Sequence, residues 1–127
     1  MVDTSVWIEL LNRRHGPRIV EEELLNFATC GPVVQEVFGG LRDHPWAQAF
    51  REAFLAVPVL GDPLPVETFL AATEIYRQGR GKGYTIRSST DCLIAAIAID
   101  HKIPVWHKDR DFETIARFTD LQTKRYP

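Results

Sequence analysis

The chain is expected to fold as an α/β protein, with a central, mainly parallel β-sheet layered between helices. Short β-branched or aromatic stretches alternate along it with longer runs of helical spacing. Gly and Pro fall as punctuation between these segments instead of collecting in one linker, and no internal repeat interrupts the alternation. Its 127 residues, 45% of them hydrophobic, can bury one substantial core but not two ordinary ones, so residues 1–127 are expected to form a single domain.

Each element follows from local pattern. A very short apolar start ends at Asp3, after which Val6, Trp7, Leu10 and Leu11 take helical spacing. Ile19, Val20, Leu24 and Leu25 repeat that spacing before Phe27 to Cys30 turns strand-like. Pro32, just past Gly31, suits the first turn of a helix carrying Val33, Val34, Val37, Phe38 and Leu41. Trp46, Phe50 and Phe54 mark a helix from Pro45 through Ala56, and the stretch Val57 to Leu60 reads as a strand. Pro65 opens a helix to about Gln78, where Gly79-Arg80-Gly81-Lys82-Gly83 is expected to stop it as a flexible basic loop. Cys92 to Ile99 is apolar around its whole circumference, which predicts a helix packed on several sides. Pro104 to His107 reads as a strand, Asp111 to Phe118 as a helix and Leu121 to Lys124 as an edge strand.

Composition excludes several classes. Fifteen Lys+Arg against 17 Asp+Glu leave a net charge of −2, so any nucleic-acid contact must come from a local patch. Cys30 and Cys92 lie far apart without metal-ligand spacing, which argues against a zinc site and a disulfide framework and suits a reducing cytoplasm. The opening residues lack the pattern of a signal peptide, and no apolar run approaches the roughly 20 residues of a membrane span.

In open α/β sheets ligands collect beyond the carboxyl ends of the strands, and acids fall at those places here. Asp3 ends the first short strand, Asp109 directly follows the Pro104 to His107 strand, and Glu36 lies one turn into the helix after Cys30. Asp91 sits in the first turn of the apolar helix, where Ser88, Ser89 and Thr90 already offer hydroxyl caps and a carboxylate is surplus to capping. Taken singly, Asp3 is equally a helix cap, Glu36 a solvated helix acid, and Asp109 and Asp111 turn residues, with Asp111 the expected N-cap of the last helix. Taken together they matter, because two unit charges about 4 Å apart repel by roughly 4 kcal/mol at an effective dielectric of 20. A converging cluster must therefore take up protons or bind a cation. Oxygen ligands without His or Cys select Mg²⁺, with Mn²⁺ as a substitute.

Four segments carry a family resemblance: Val2-Asp3-Thr4-Ser5-Val6-Trp7, the helix acid in Pro32-Val33-Val34-Gln35-Glu36, the run Ser89-Thr90-Asp91-Cys92-Leu93-Ile94-Ala95-Ala96, and Trp106-His107-Lys108-Asp109-Arg110-Asp111-Phe112. In type and order they resemble the PIN-domain toxins of the VapC type over nearly the whole chain. The resemblance implies a PIN-like three-layer α/β/α sandwich, a homodimer, and Mg²⁺-dependent endoribonuclease activity held in check by a cognate VapB-type antitoxin, with a higher assembly alongside it. Carried over, it implies Asp3 and Asp91 as the principal metal ligands and Glu36 and Asp109 as further catalytic acids. It also implies Asp111 as auxiliary and Thr4, Ser5 and Thr90 as hydroxyl supports of the pocket, although Ser5 and Thr90 read equally well as helix caps. The first strand is shorter here than such toxins often carry.

A pocket this negative repels RNA, so cations must hold the substrate backbone, and Arg77, Arg80, Lys82 and Arg87 form the obvious patch. The glycine loop lacks the G-x-x-x-x-G-K-S/T pattern of a phosphate-binding loop. His15, His44, His101 and His107 show no metal spacing and read as surface or turn residues. An inhibiting antitoxin is expected to place an Arg or Lys among the acids while its apolar residues fill a groove between helices. Trp7, Trp46, Phe50 and Phe54 are candidates for that groove or the dimer contact, with core packing the simpler reading. The rival readings are a phosphotransfer domain, which the lack of a second aspartate two positions after Asp3 disfavours, a non-catalytic PIN-fold binding module, and a nuclease acting on structured DNA.

Overall fold

A computed structural model of the chain describes residues 1–11 and 21–127. The expectations for Ile19, Val20 and His15 lie outside the described residues. The helices are α1 (Thr4–Leu11), α2 (Glu21–Leu24), α3 (Gly31–Gly40), α4 (Ala47–Leu55), α5 (Val66–Gly81), α6 (Ser89–Asp100) and α7 (Arg110–Ala116). The strands are β1 (Thr29–Cys30), β2 (Val59–Leu60), β3 (Val105–His107) and β4 (Thr123–Arg125).

Among the described residues every strand pairing is parallel. β1 pairs with β2 in the register Thr29 to Val59, and β3 pairs with β4 in the register Val105 to Thr123. The expected first strand is reduced to a single parallel bridge between Val2 and Trp106. That bridge still joins the halves, because the Val2 N–H donates to Ala28 O on one side while the Trp106 N–H donates to Met1 O and the Asp3 N–H to Trp106 O on the other. The order across the sheet is thus β2, β1, Met1–Asp3, β3, β4, and the acids that follow these segments share one edge.

α6 is the central support. Its Cys92, Ile94, Ala95, Ala96, Ile97 and Ala98 are all buried, and it packs against α3, α5 and α7, as an all-round apolar helix must. A second part of the core is aromatic: Trp7 meets Phe54 edge-on at 4.8 Å between centroids, with Phe50 and Phe27 beside it. Trp7, Phe50 and Phe54 are consequently core residues and unavailable to a partner, whereas half-buried Trp46 meets His44 at the surface with the two rings tilted.

Two expectations fail for packing reasons. α5 does not stop at Gln78 but continues to Gly81, so Gly79 to Gly81 are helical and only Gly83, at φ +78°, turns the chain. Gly79 is buried, and a Cβ there would stand 2.7 Å from Ile86 Cδ1 and 3.2 Å from Phe118 Cζ. Close approach of the following segment, which needs an absent side chain, outweighs glycine's poor helix propensity of roughly 1 kcal/mol. His107, expected at the surface, is fully buried on β3 against Phe112. It shares its face with buried Val105, as the two-residue period of a strand requires. His44 and His101 are exposed, as expected.

Candidate metal centre

Asp3 leaves the sheet directly after Val2 and stands before α1. Its carboxylate oxygen Oδ2 accepts the Ser5 N–H at 2.9 Å and the Ser5 hydroxyl, so it caps α1 while facing the sheet edge. Ser5 Oγ in turn accepts the Lys108 N–H at 2.9 Å, tying α1 to the turn after β3. From α3, Glu36 reaches across to accept the Thr4 hydroxyl at 2.5 Å. Both hydroxyls thus hold acids in place, and Ser5 is no cap.

The other acids come from α6 and α7. Ser88 is the N-cap of α6, its hydroxyl accepting the Asp91 N–H at 3.2 Å, so Thr90 is not needed as a cap. The capping acid of α7 is Asp109, whose Oδ1 accepts the Asp111 N–H at 2.9 Å, and not Asp111 as expected. Asp111 is turned inward instead. Its Oδ2 accepts the main-chain N–H groups of Arg87 at 2.9 Å and Ser88 at 3.0 Å, which ties the segment before α6 to α7.

Asp91, Asp109 and Asp111 each offer a carboxylate oxygen within 4.8 Å of the others. The three oxygens are near enough to one another to be drawn onto a single divalent ion. The Oδ2 of Asp91 is buried and has no hydrogen-bond partner among the described residues. Burial first, then the charges of Asp3, Asp109, Asp111 and Glu36, push the Asp91 carboxyl up to about 8. Asp3 is raised as well, by burial against the opposing effect of its Ser5 and Thr4 hydrogen bonds. These are the signs of a pocket short of positive charge, and its all-oxygen donor set fits a hard divalent cation. Cys30 and Cys92 are free, buried and pushed up to about 11, which makes them poor ligands beside the carboxylates.

The expected basic patch divides. Arg87 belongs to the pocket itself, with Nη2 3.3 Å from Asp109 Oδ1 and Nε 3.6 Å from Asp111 Oδ1. Arg77, Arg80 and Lys82 are exposed on α5 and its end, with Arg80 lying over the Tyr76 ring, and among the described residues no ion pair joins them to the pocket acids. Thr90, partly buried, lines a groove of about 390 Å³ on the other side of Glu36, together with Pro32 and Phe69. The arginine-to-acid pairing spans 22 to 24 residues and leaves no local trace. A larger groove of about 490 Å³ opens from Glu36 along Ile8, Leu11, Val37, Leu41 and Trp46. No helix of the described residues is long and apolar enough to cross a membrane.

Comparison with known proteins agrees with this architecture. The family model of the PIN domain matches residues 1–118. Ribonuclease VapC11 of Mycobacterium tuberculosis is 36% identical over 133 aligned positions, spanning 99% of this chain and 98% of the relative. The solved structure of VapBC2 from Rickettsia felis, bound to a DNA fragment from its promoter, superposes with a TM-score of 0.71 at 19% identity, covering 100% of this chain and 98% of that one. VapBC-5 from Mycobacterium tuberculosis gives 0.66 at 22% identity, covering 98% and 96%. At those identities the two structures speak for the fold, while the sequence match speaks for the branch. The chain belongs to the PIN-domain family, on the branch of the VapC ribonucleases.

Proposed function

We propose that the chain is a Mg²⁺-dependent endoribonuclease, the toxin of a type II toxin–antitoxin pair, working in the cytoplasm as a single PIN domain. The observation that carries the metal reading is the buried, unpartnered Asp91 oxygen set among four further acids. Asp3 and Asp91 serve as the principal ligands, and Glu36 and Asp109 as acids that orient the attacking water. When bound, the cation supplies positive charge for the phosphodiester and activates that water. Ser5 holds Asp3 in its rotamer, and Asp111 holds the residues that lead into α6. In-line attack leaves a 5′-phosphate and a 3′-hydroxyl, and no covalent enzyme intermediate is required. Exposed Arg77, Arg80 and Lys82 add charge to steer RNA towards the site.

A VapB-type antitoxin fits the same surface. The groove that opens from Glu36 between α1 and α3 is apolar along Ile8, Leu11 and Leu41 and ends at the acids. An antitoxin segment lying there can fill it with apolar side chains and set an Arg or Lys on the carboxylates. Homodimerisation falls to α5, whose Val66, Phe69 and Leu70 are 68%, 48% and 64% exposed on one helix face. A second copy related by a two-fold axis would cover this stripe on both molecules.

The test is to incubate the purified chain with total cellular RNA and Mg²⁺, with and without EDTA, beside Asp3→Asn and Asp91→Asn. Discrete fragments from the wild type alone, abolished by chelation, are expected and identify the substrate among transfer, ribosomal and messenger RNA. Cleavage indifferent to EDTA and to both substitutions overturns the metal mechanism.

A further inference from the structure

Arg87 is held in an unusual way. Its main-chain N–H is fixed by Asp111 Oδ2, while its side chain folds back so that Nε faces Asp111 Oδ1 at 3.6 Å and Nη2 faces Asp109 Oδ1 at 3.3 Å. The main chain is anchored on a buried carboxylate, whereas the head group makes its hydrogen bond to Asp109 and its ion pair to Asp111 from an exposed position, the Arg87 side chain being 58% exposed against 4% for Asp111. Two of the three clustered aspartates therefore carry a cation supplied by the chain itself, and the third, Asp91, carries none.

We propose that Arg87 is an exchangeable counter-cation of the pocket, resting on Asp109 and Asp111 without metal and moving to a substrate phosphate oxygen when metal and RNA enter. This rests on the metal reading given above. An exposed guanidinium–carboxylate pair is held weakly, so release costs little. A divalent ion beside the same carboxylates repels the guanidinium, and the planar fork of Arg suits phosphate oxygens as well as it suits carboxylate. The anchored main chain keeps the released head group within reach of the pocket. Metal and RNA are then coupled through one side chain: metal frees Arg87, and freed Arg87 binds RNA.

The test titrates the metal-free full chain with Mn²⁺ by calorimetry, comparing wild type, Arg87→Met and Arg87→Lys. All three retain the main-chain bonds to Asp111, and thermal melting checks that each is folded. Loss of one positive charge beside the site is expected to tighten Mn²⁺ binding about fivefold in Arg87→Met, with Arg87→Lys staying near wild type. A short fluorescein-labelled single-stranded RNA of mixed sequence is then titrated in EDTA and in Ca²⁺. Calcium should tighten RNA binding to wild type by about tenfold more than to Arg87→Met. A clamp that merely shapes the pocket predicts the opposite sign, so weaker or unchanged Mn²⁺ binding by Arg87→Met overturns the proposal and leaves the metal centre standing. Tightening by Arg87→Lys equal to that of Arg87→Met also overturns it. Wild type that binds no Mn²⁺ overturns both readings together.

Discussion

Replacing Asp91 with Asn should stabilise the metal-free protein while abolishing its response to metal. The folded-state carboxyl lies near 8 against an ordinary value of 3.8. A carboxyl raised in this way binds a proton more tightly folded than unfolded, so it costs stability that is absent below pH 3.8, grows as pH rises towards 8 and then levels off. At pH 7 the difference of 3.2 pH units amounts to about 4 kcal/mol. Water entering the open side of the pocket lowers the realised figure to roughly 2 kcal/mol. The amide keeps the shape without the charge, so in EDTA at pH 7.5 Asp91→Asn should melt about 5–10 °C above wild type, and the gap should close near pH 4. Saturating Mg²⁺ reverses the order, since a ligand at a hundred times its Kd adds about 2.7 kcal/mol to wild type and nothing to the variant. Differential scanning calorimetry across that pH range, with and without Mg²⁺, reads all of this. A variant less stable than wild type in EDTA, or one that Mg²⁺ stabilises equally, refutes the reasoning.

Ser5→Ala removes the hydroxyl joining Lys108 to Asp3; turnover should fall about tenfold while stability changes by about 1 kcal/mol, as single-turnover cleavage and thermal melts would report. Gly79→Val forces a side chain against Ile86 and Phe118 and should cost about 1–3 kcal/mol, read as a lower urea midpoint with an unchanged slope. Cys30 and Cys92, buried and raised to about 11, should resist Ellman's reagent at pH 8 in the native protein and react on unfolding. Phe69→Asp should convert a dimer to a monomer in light scattering without loss of fold.

The layered α/β class could be read in advance because it rests on periodicity, and strand ends were the place to look for acids; the structure groups Asp91 with Asp109 and Asp111, with Asp3 and Glu36 near enough to act on Asp91 through their charge. Asp3, Asp109 and Glu36 follow strands in sequence, and parallel pairing alone brings strand ends to one edge. What stayed hidden depends on contacts between distant residues. Asp111 was the expected cap of α7, but Arg87 and Ser88, whose N–H groups claim it from 24 and 23 residues away, leave the cap to Asp109. Gly79 reads as a helix stop by propensity, although it continues the buried stripe of Ala72 and Ile75 at helical spacing. His107 was legible from its alternation with Val105, and general expectations of histidine concealed it. The strands are two or three residues long, too short for sequence alone to set their register.

The most direct measurement is a crystal of the full chain soaked in Mn²⁺ and examined by anomalous scattering. One strong peak within coordination distance of Asp91, reached also by Asp3, Asp109 or Asp111 directly or through water, is the predicted result. A fully occupied soak with no peak among these carboxylates, or with the metal on a histidine elsewhere, contradicts the central claim.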